Sequence, residues 1–133
     1  MFLDTSGLFR LFHVAEKGHA DARTLFESSP QTLTHSYVLA EFVALALAIA
    51  RSADRRNALA FADSLSGIAN LRIIWVDDLI HENGMRVLRA QLDKTYSLCD
   101  AVSFILMRKA GLTDALTTDH HFDQAGFVRL LRP

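Results

Sequence analysis

Residues 1–12, Met1-Phe2-Leu3-Asp4-Thr5-Ser6-Gly7-Leu8-Phe9-Arg10-Leu11-Phe12, contain the change of period on which the fold turns. Phe2 and Leu3 form a short apolar run that stops at four capping and turn residues, Asp4 to Gly7. Apolar positions then resume at helical spacing with Leu8, Phe9, Leu11 and Phe12. A strand therefore passes directly into a helix, with an acid at the junction. The alternation continues along the chain. A helix from about Ala20 to Ser28 stops at Pro30, and Thr32 to Thr34 reads as a short strand. Ser36 caps an apolar helix through Ala50, and Asp54 caps another through about Ser66, ended by Gly67. Leu71 to Val76 is a β-branched and aromatic run, the mark of a buried strand. Asp78 caps a helix to about Leu92, Asp93 to Ser97 is a polar connector, and Leu98 to Lys109 is a helix closed by Gly111. Ala115 to Thr118 and Phe127 to Leu130 are short strands flanking a turn from Asp119 to Gln124. Strands alternating with helices predict right-handed crossovers, hence an α/β fold with a short, mostly parallel sheet flanked by helices on both faces.

Composition narrows the function classes. A chain of 133 residues with half its residues apolar supports one core without a disulfide or a structural metal. A single domain over residues 1–133 is expected. Cys99 is the only cysteine and sits in an apolar run, so it reads as a buried thiol and fits a reducing cytoplasm. The first residues carry no basic region or long apolar segment, which argues against a secretory signal. The most apolar stretch, Tyr37 to Ala50, is too short for a bilayer and contains Glu41, so no membrane role is expected. Fourteen basic residues against fifteen acidic ones give a formal net charge of -1. Any grip on nucleic acid must then come from a local patch or from bound cations.

Four carboxylates stand alone in apolar surroundings. Asp4 is the only charge in the first nine residues, Glu41 the only one between Tyr37 and Ala50, and Asp100 the only one between Ser97 and Met107. Asp119 follows the run Leu116 to Thr118. An isolated ionised carboxylate in such a setting carries a desolvation penalty of several kcal/mol unless donors or a cation offset it. In a parallel sheet ligands bind beyond the carboxyl ends of the strands, where the strand order reverses. Asp4 and Asp119 end predicted strands, while Glu41 and Asp100 lie early in helices leaving the same sheet edge, so all four can share one crevice. Hard divalent cations such as Mg²⁺ or Mn²⁺ want such oxygen ligands. Each acid also has a purely structural reading: a helix cap for Asp4, a dipole partner for Asp100, a turn residue for Asp119. Glu41, past the first helical turn, is the hardest to explain structurally.

The opening Leu3-Asp4-Thr5-Ser6, the stretch Ser36 to Glu41, the segment Tyr96 to Phe104, and Thr117-Thr118-Asp119-His120-His121-Phe122 with Ala125-Gly126-Phe127 resemble the PIN domains. The nearest group is the VapC-like toxins of prokaryotic toxin–antitoxin modules. The motifs run in order along nearly the whole chain. The resemblance implies a PIN-like α/β/α sandwich and an endoribonuclease that uses Mg²⁺ or Mn²⁺ and RNA as substrate, together with a small antitoxin partner and a homodimer. It further implies Asp4, Asp100 and Asp119 as metal ligands, with Glu41 holding a second ion or orienting the attacking water. Thr5, Ser6 and Thr118 are hydroxyl neighbours of these acids, and capping is their alternative role.

Other features weigh less. His120 and His121, as neighbours, are expected to point apart and not to share a metal. Arg51, Arg55, Arg56, Arg86, Arg89 and Lys94 read as solvated helix faces or as an RNA-tracking rim. A metal-dependent phosphatase also places an Asp after its first strand, but it wants a second acid two residues on, where Ser6 stands. A binding module that keeps the fold and acts through a protein partner is the reading outside enzymes.

Overall fold

The computed structural model describes residues 1–133, the side chains of residues 52 and 53 excepted. In chain order the elements are β1 (Phe2–Leu3), α1 (Thr5–Phe12), α2 (His19–Ser28), β2 (Thr32–His35), α3 (Ser36–Ile49), α4 (Ser52–Ser64), β3 (Leu71–Ile74), α5 (Asp78–Ala90), α6 (Leu98–Ala110), β4 (Asp114–Leu116), α7 (His120–Gln124) and β5 (Val128–Arg129). The five strands form one sheet in the order β3-β2-β1-β4-β5, and every pairing is parallel. From β1 the chain steps outward through β2 to β3, then crosses back to β4 on the other side of β1. Right-handed crossovers in opposite directions place their helices on opposite faces. Accordingly α1, α2, α3 and α4 pack among themselves, and α5 packs on α6. The order reverses between β1 and β4, so a crevice opens beyond their carboxyl ends.

Central β1 is covered on both sides: Phe2 and Leu3 are fully buried, as is Leu116 on β4. Phe122 stacks on Phe2 with ring centroids 6.0 Å apart and meets Phe104 edge-on at 5.1 Å, which ties α7 and α6 to the sheet. On the other face Phe42 packs against Phe12 and Phe61.

Several boundaries differ from the sequence reading for local reasons. Helix α3 is capped by the His35 ring, which accepts from the Val38 amide at 3.4 Å; the Ser36 hydroxyl instead accepts the Val76 amide at 2.9 Å. Asp77, not Asp78, caps α5 through the Ile80 amide. Helix α4 starts at Ser52, so Asp54 lies inside its first turn and Arg51 is the cap residue. The stretch expected as a turn after β4 is the short helix α7, with Asp119 as its cap. The β3 and β5 ladders are shorter than expected, at Leu71–Ile74 and Val128–Arg129.

Gly7 sits where α1 crosses β4. A Cβ there would fall against the backbone carbonyl oxygen of Leu116, so a side chain would push α1 off the sheet. We expect Gly7→Ala to cost about 1–3 kcal/mol or more, the range for overpacking, whereas Gly67→Ala, with open space around it, should stay within about 0.5 kcal/mol. Chemical denaturation of both variants checks this, and equal stabilities would contradict the packing account.

Candidate active site

The end of β1 and the end of β4 are laced together by hydroxyls. Asp4 occupies the cap position of α1 but makes no side-chain cap bond, so its expected structural reading does not hold. Its Oδ2 instead accepts from Thr117 Oγ1 at 2.7 Å and from Ser6 Oγ at 3.3 Å. Thr117 Oγ1 in turn accepts the Asp119 amide at 3.0 Å, and Ser6 Oγ accepts the Thr118 amide at 2.9 Å. Thr117 was not among the residues singled out from sequence; the pair Thr117-Thr118 was visible, but which hydroxyl turns inward depends on the strand's register. Asp4 is 6% exposed, and burial raises its acid to about 6, against the opposing hydrogen bond of Thr117; the charges of Asp100 and Glu41 add to the rise.

Asp100 lies in the first turn of α6 and closes a capping box: the Ser97 amide donates to its Oδ2 at 2.8 Å while Ser97 Oγ accepts the Asp100 amide. Its structural role is therefore real, and it coexists with a position within electrostatic reach of Asp4. Asp119 Oδ1 caps α7 through the His121 amide at 2.8 Å. Between these two acids stands the His121 ring, only 15% exposed, with Nδ1 3.1 Å from Asp100 Oδ2 and 3.4 Å from Asp119 Oδ1. His120 does not point away from it as expected: the two ring centroids are 4.5 Å apart, because both side chains fold back over the cap residue.

Glu41 corrects the sequence argument. It is exposed, so no deep desolvation penalty attaches to it. Helix α3 is apolar all round because part of its apolar surface is left uncovered: Leu45 is 46% and Ile49 64% exposed. Glu41 nonetheless faces the same crevice: burial pushes the acid of the half-buried Cys99 thiol far up, and the nearby charge of Glu41 adds to the rise. A cavity of about 540 Å³ is walled by Asp4, Thr5, Ser6, Glu41, Thr118 and Asp119. Thr5 Oγ1 is buried beside Asp4 without a hydrogen-bond partner among the described residues. The basic side chains of Arg51, Arg55, Arg56, Arg86, Arg89 and Lys94 are exposed and do not line this cavity.

Arg10 also lines the cavity, yet among the described residues no Lys or Arg pairs with the buried carboxylates of Asp4 and Asp100; with the orphaned hydroxyl they are a donor set that a hard divalent cation satisfies. Residues 1–128 match the PIN-domain family, and the chain belongs to it. Over 131 residues the chain is 31% identical to the 23S rRNA-specific endonuclease VapC20 of Mycobacterium tuberculosis, covering 98% of this chain and 97% of that protein. The crystal structure of Mycobacterium tuberculosis VapC20, described as a sarcin–ricin loop cleaving toxin, superposes with a TM-score of 0.83 at 32% identity, covering 99% of this chain and 98% of that one. The α/β/α sandwich expected from the resemblance is thus the observed fold.

The raised Asp4 acid has a stability consequence. The folded state binds the proton at about 6 and the unfolded chain near 3.8, so the metal-free fold gains stability as pH falls through this window and loses it as pH rises. His35, buried and lowered to about 4, acts oppositely: its contribution is present above the ordinary value of 6.5 and is lost on acidification. Comparing wild type with Asp4→Asn in EDTA cancels the His35 part. The variant should be more stable at pH 7.5, by at most about 3 kcal/mol, with the gap shrinking toward pH 4.5. A pH-independent gap in denaturant melts would contradict the assignment.

Proposed function

We propose that this chain is a metal-dependent endoribonuclease that hydrolyses RNA phosphodiester bonds, the toxin of a type II toxin–antitoxin module. The observation that carries the reading is the set of acids at the β1–β4 switch point, with Asp4 raised by its burial and further by the charges of Asp100 and Glu41, in a chain that aligns end to end with an rRNA endonuclease. Mg²⁺ or Mn²⁺ is the cofactor we assign. Held by these acids, such an ion would supply Lewis-acid chemistry, activating a water and offsetting charge on the scissile phosphate.

The residues divide the labour. Asp4, Asp100 and Asp119 are the metal ligands in this reading, and Glu41, at the exposed rim, holds a second ion or orients the attacking water. Thr117 and Ser6 hold the Asp4 carboxylate through their hydroxyls, so its orientation is set before substrate arrives. Thr5 and Thr118 line the cavity and offer hydroxyls to phosphate or metal-bound water. Ser6 donates to Asp4 where a phosphatase of the rival type wants a second acid, which favours the nuclease. VapC20 is named for 23S rRNA, and rRNA is the substrate class we assign to this chain as well. The uncovered apolar residues Leu45 and Ile49 on α3 and Leu59 on α4 suit a homodimer and a small antitoxin partner. Among the described residues no helix is long and apolar enough to cross a membrane.

The test is cleavage of purified 23S rRNA by metal-stripped protein with and without Mg²⁺ or Mn²⁺. We expect no cleavage in EDTA, recovery with the ion, and a loss in Asp4→Asn and Asp100→Asn that exceeds the roughly 10–100-fold typical of removing a merely supporting residue. Circular dichroism should show both variants folded, Asp100→Asn less stable by about 0.5–2 kcal/mol for its weakened capping box. Cleavage undiminished in excess EDTA would overturn the mechanism. In light scattering at micromolar concentration we expect a dimer; monomer alone would contradict the pairing.

A further inference from the structure

Asp119 and the two histidines after it are only partly absorbed by the acidic site. Asp119 caps α7, and the first turn of that helix brings both imidazoles back over its carboxylate. His120 Nδ1 lies 3.5 Å and His121 Nδ1 3.4 Å from Asp119 Oδ1. On its other side His121 Nδ1 is 3.1 Å from Asp100 Oδ2. One donor atom from each of Asp119, His120 and His121 lies within 4.8 Å of the others. Two ligand atoms bound to a tetrahedral zinc ion at about 2.0–2.1 Å stand about 3.4 Å apart. The two separations from Asp119 Oδ1 to the imidazoles are close to an edge of such a tetrahedron.

The surroundings of His121 add a second, independent sign. Its Nε2 is 3.0 Å from Thr95 Oγ1, the kind of outer hydrogen bond that sets the tautomer and orientation of a ligating imidazole. The Tyr96 ring packs edge-on to it at 5.4 Å and restricts its rotation. A hard ion such as Mg²⁺ makes little use of imidazole, whereas borderline transition ions favour mixed nitrogen and oxygen donors.

We propose that Asp119, His120 and His121, with water completing the set, form a binding site for a borderline divalent transition ion of the zinc class. A His121 that ligates through Nδ1 carries its hydrogen on Nε2, which faces Thr95 Oγ1. The site uses Asp119, one of the acids assigned to hydrolysis, and borders Asp100 through His121. Resting on the nuclease reading, an ion held here draws Asp119 away from the catalytic centre and acts as a brake on cleavage.

The experiment is calorimetric titration of the metal-stripped full chain with Zn²⁺, with Co²⁺ as a spectroscopic stand-in. Wild type should bind Zn²⁺ and give the visible absorption of tetrahedral Co²⁺. His120→Gln, which alters a side chain that is 63% exposed and leaves the core intact, should bind Zn²⁺ at least tenfold more weakly and lose the Co²⁺ bands. The variant should retain Mn²⁺-supported cleavage and tolerate at least tenfold more Zn²⁺ before cleavage slows. Equal Zn²⁺ affinity in the two proteins would overturn the site; reduced affinity with unchanged Zn²⁺ inhibition would overturn the brake. Zinc binding lost in His120→Gln supports the site even in a protein that cuts no RNA, so the two readings fail separately.

Discussion

The carboxylate of Asp4, buried between the ends of β1 and β4, is the constraint to which the rest of the structure answers. It stands where the sheet order reverses, and among the described residues no Lys or Arg pairs with it. What the fold supplies instead is two hydroxyls, from Thr117 and Ser6, each of which also receives a backbone amide from the β4–α7 turn. Those bonds stabilise the charged form, yet burial outweighs them, and the acid is raised to about 6. The metal-free site is thus held in shape and electrostatically strained at once. That combination is what the proposed cation site requires of its scaffold.

The other acids show how structural and chemical roles combine. Asp119 caps α7 and Asp100 completes the capping box of α6, so the backbone fixes where their carboxylates sit. A cap uses one oxygen or shares it, and leaves the remaining lone pairs for a ligand. The structural alternatives weighed for these two acids are therefore not alternatives at all. Asp4 is the case where the cap role fails and the charge is left for other partners.

Much of this was legible in the sequence. The change from an apolar pair to a helical period across Asp4 located the first strand, the first helix and the acid between them. The lone charge in the run from Ser97 to Met107 likewise marked Asp100. Glu41 was singled out on a mistaken premise: an apolar helix looks buried, but the sequence cannot say whether another element covers each face, and here Leu45 and Ile49 are left open. Thr117 was missed because choosing between adjacent threonines needs the strand's register. His120 and His121 were expected to diverge, which ignores how a cap residue folds the first turn back over itself. The caps at His35 and Asp77 each missed by one position because an imidazole is an unusual cap and two aspartates stood side by side.

The central claim is that these acids form one cation site whose strain a divalent ion relieves, and melting curves in EDTA and in Mn²⁺ test it most directly. For wild type at neutral pH, Mn²⁺ at a hundredfold excess over its dissociation constant should add about 2.7 kcal/mol of stability. Asp4→Asn should melt higher than wild type in EDTA and gain much less from Mn²⁺. An Mn²⁺ gain in Asp4→Asn as large as in wild type, or none in wild type, would contradict the account.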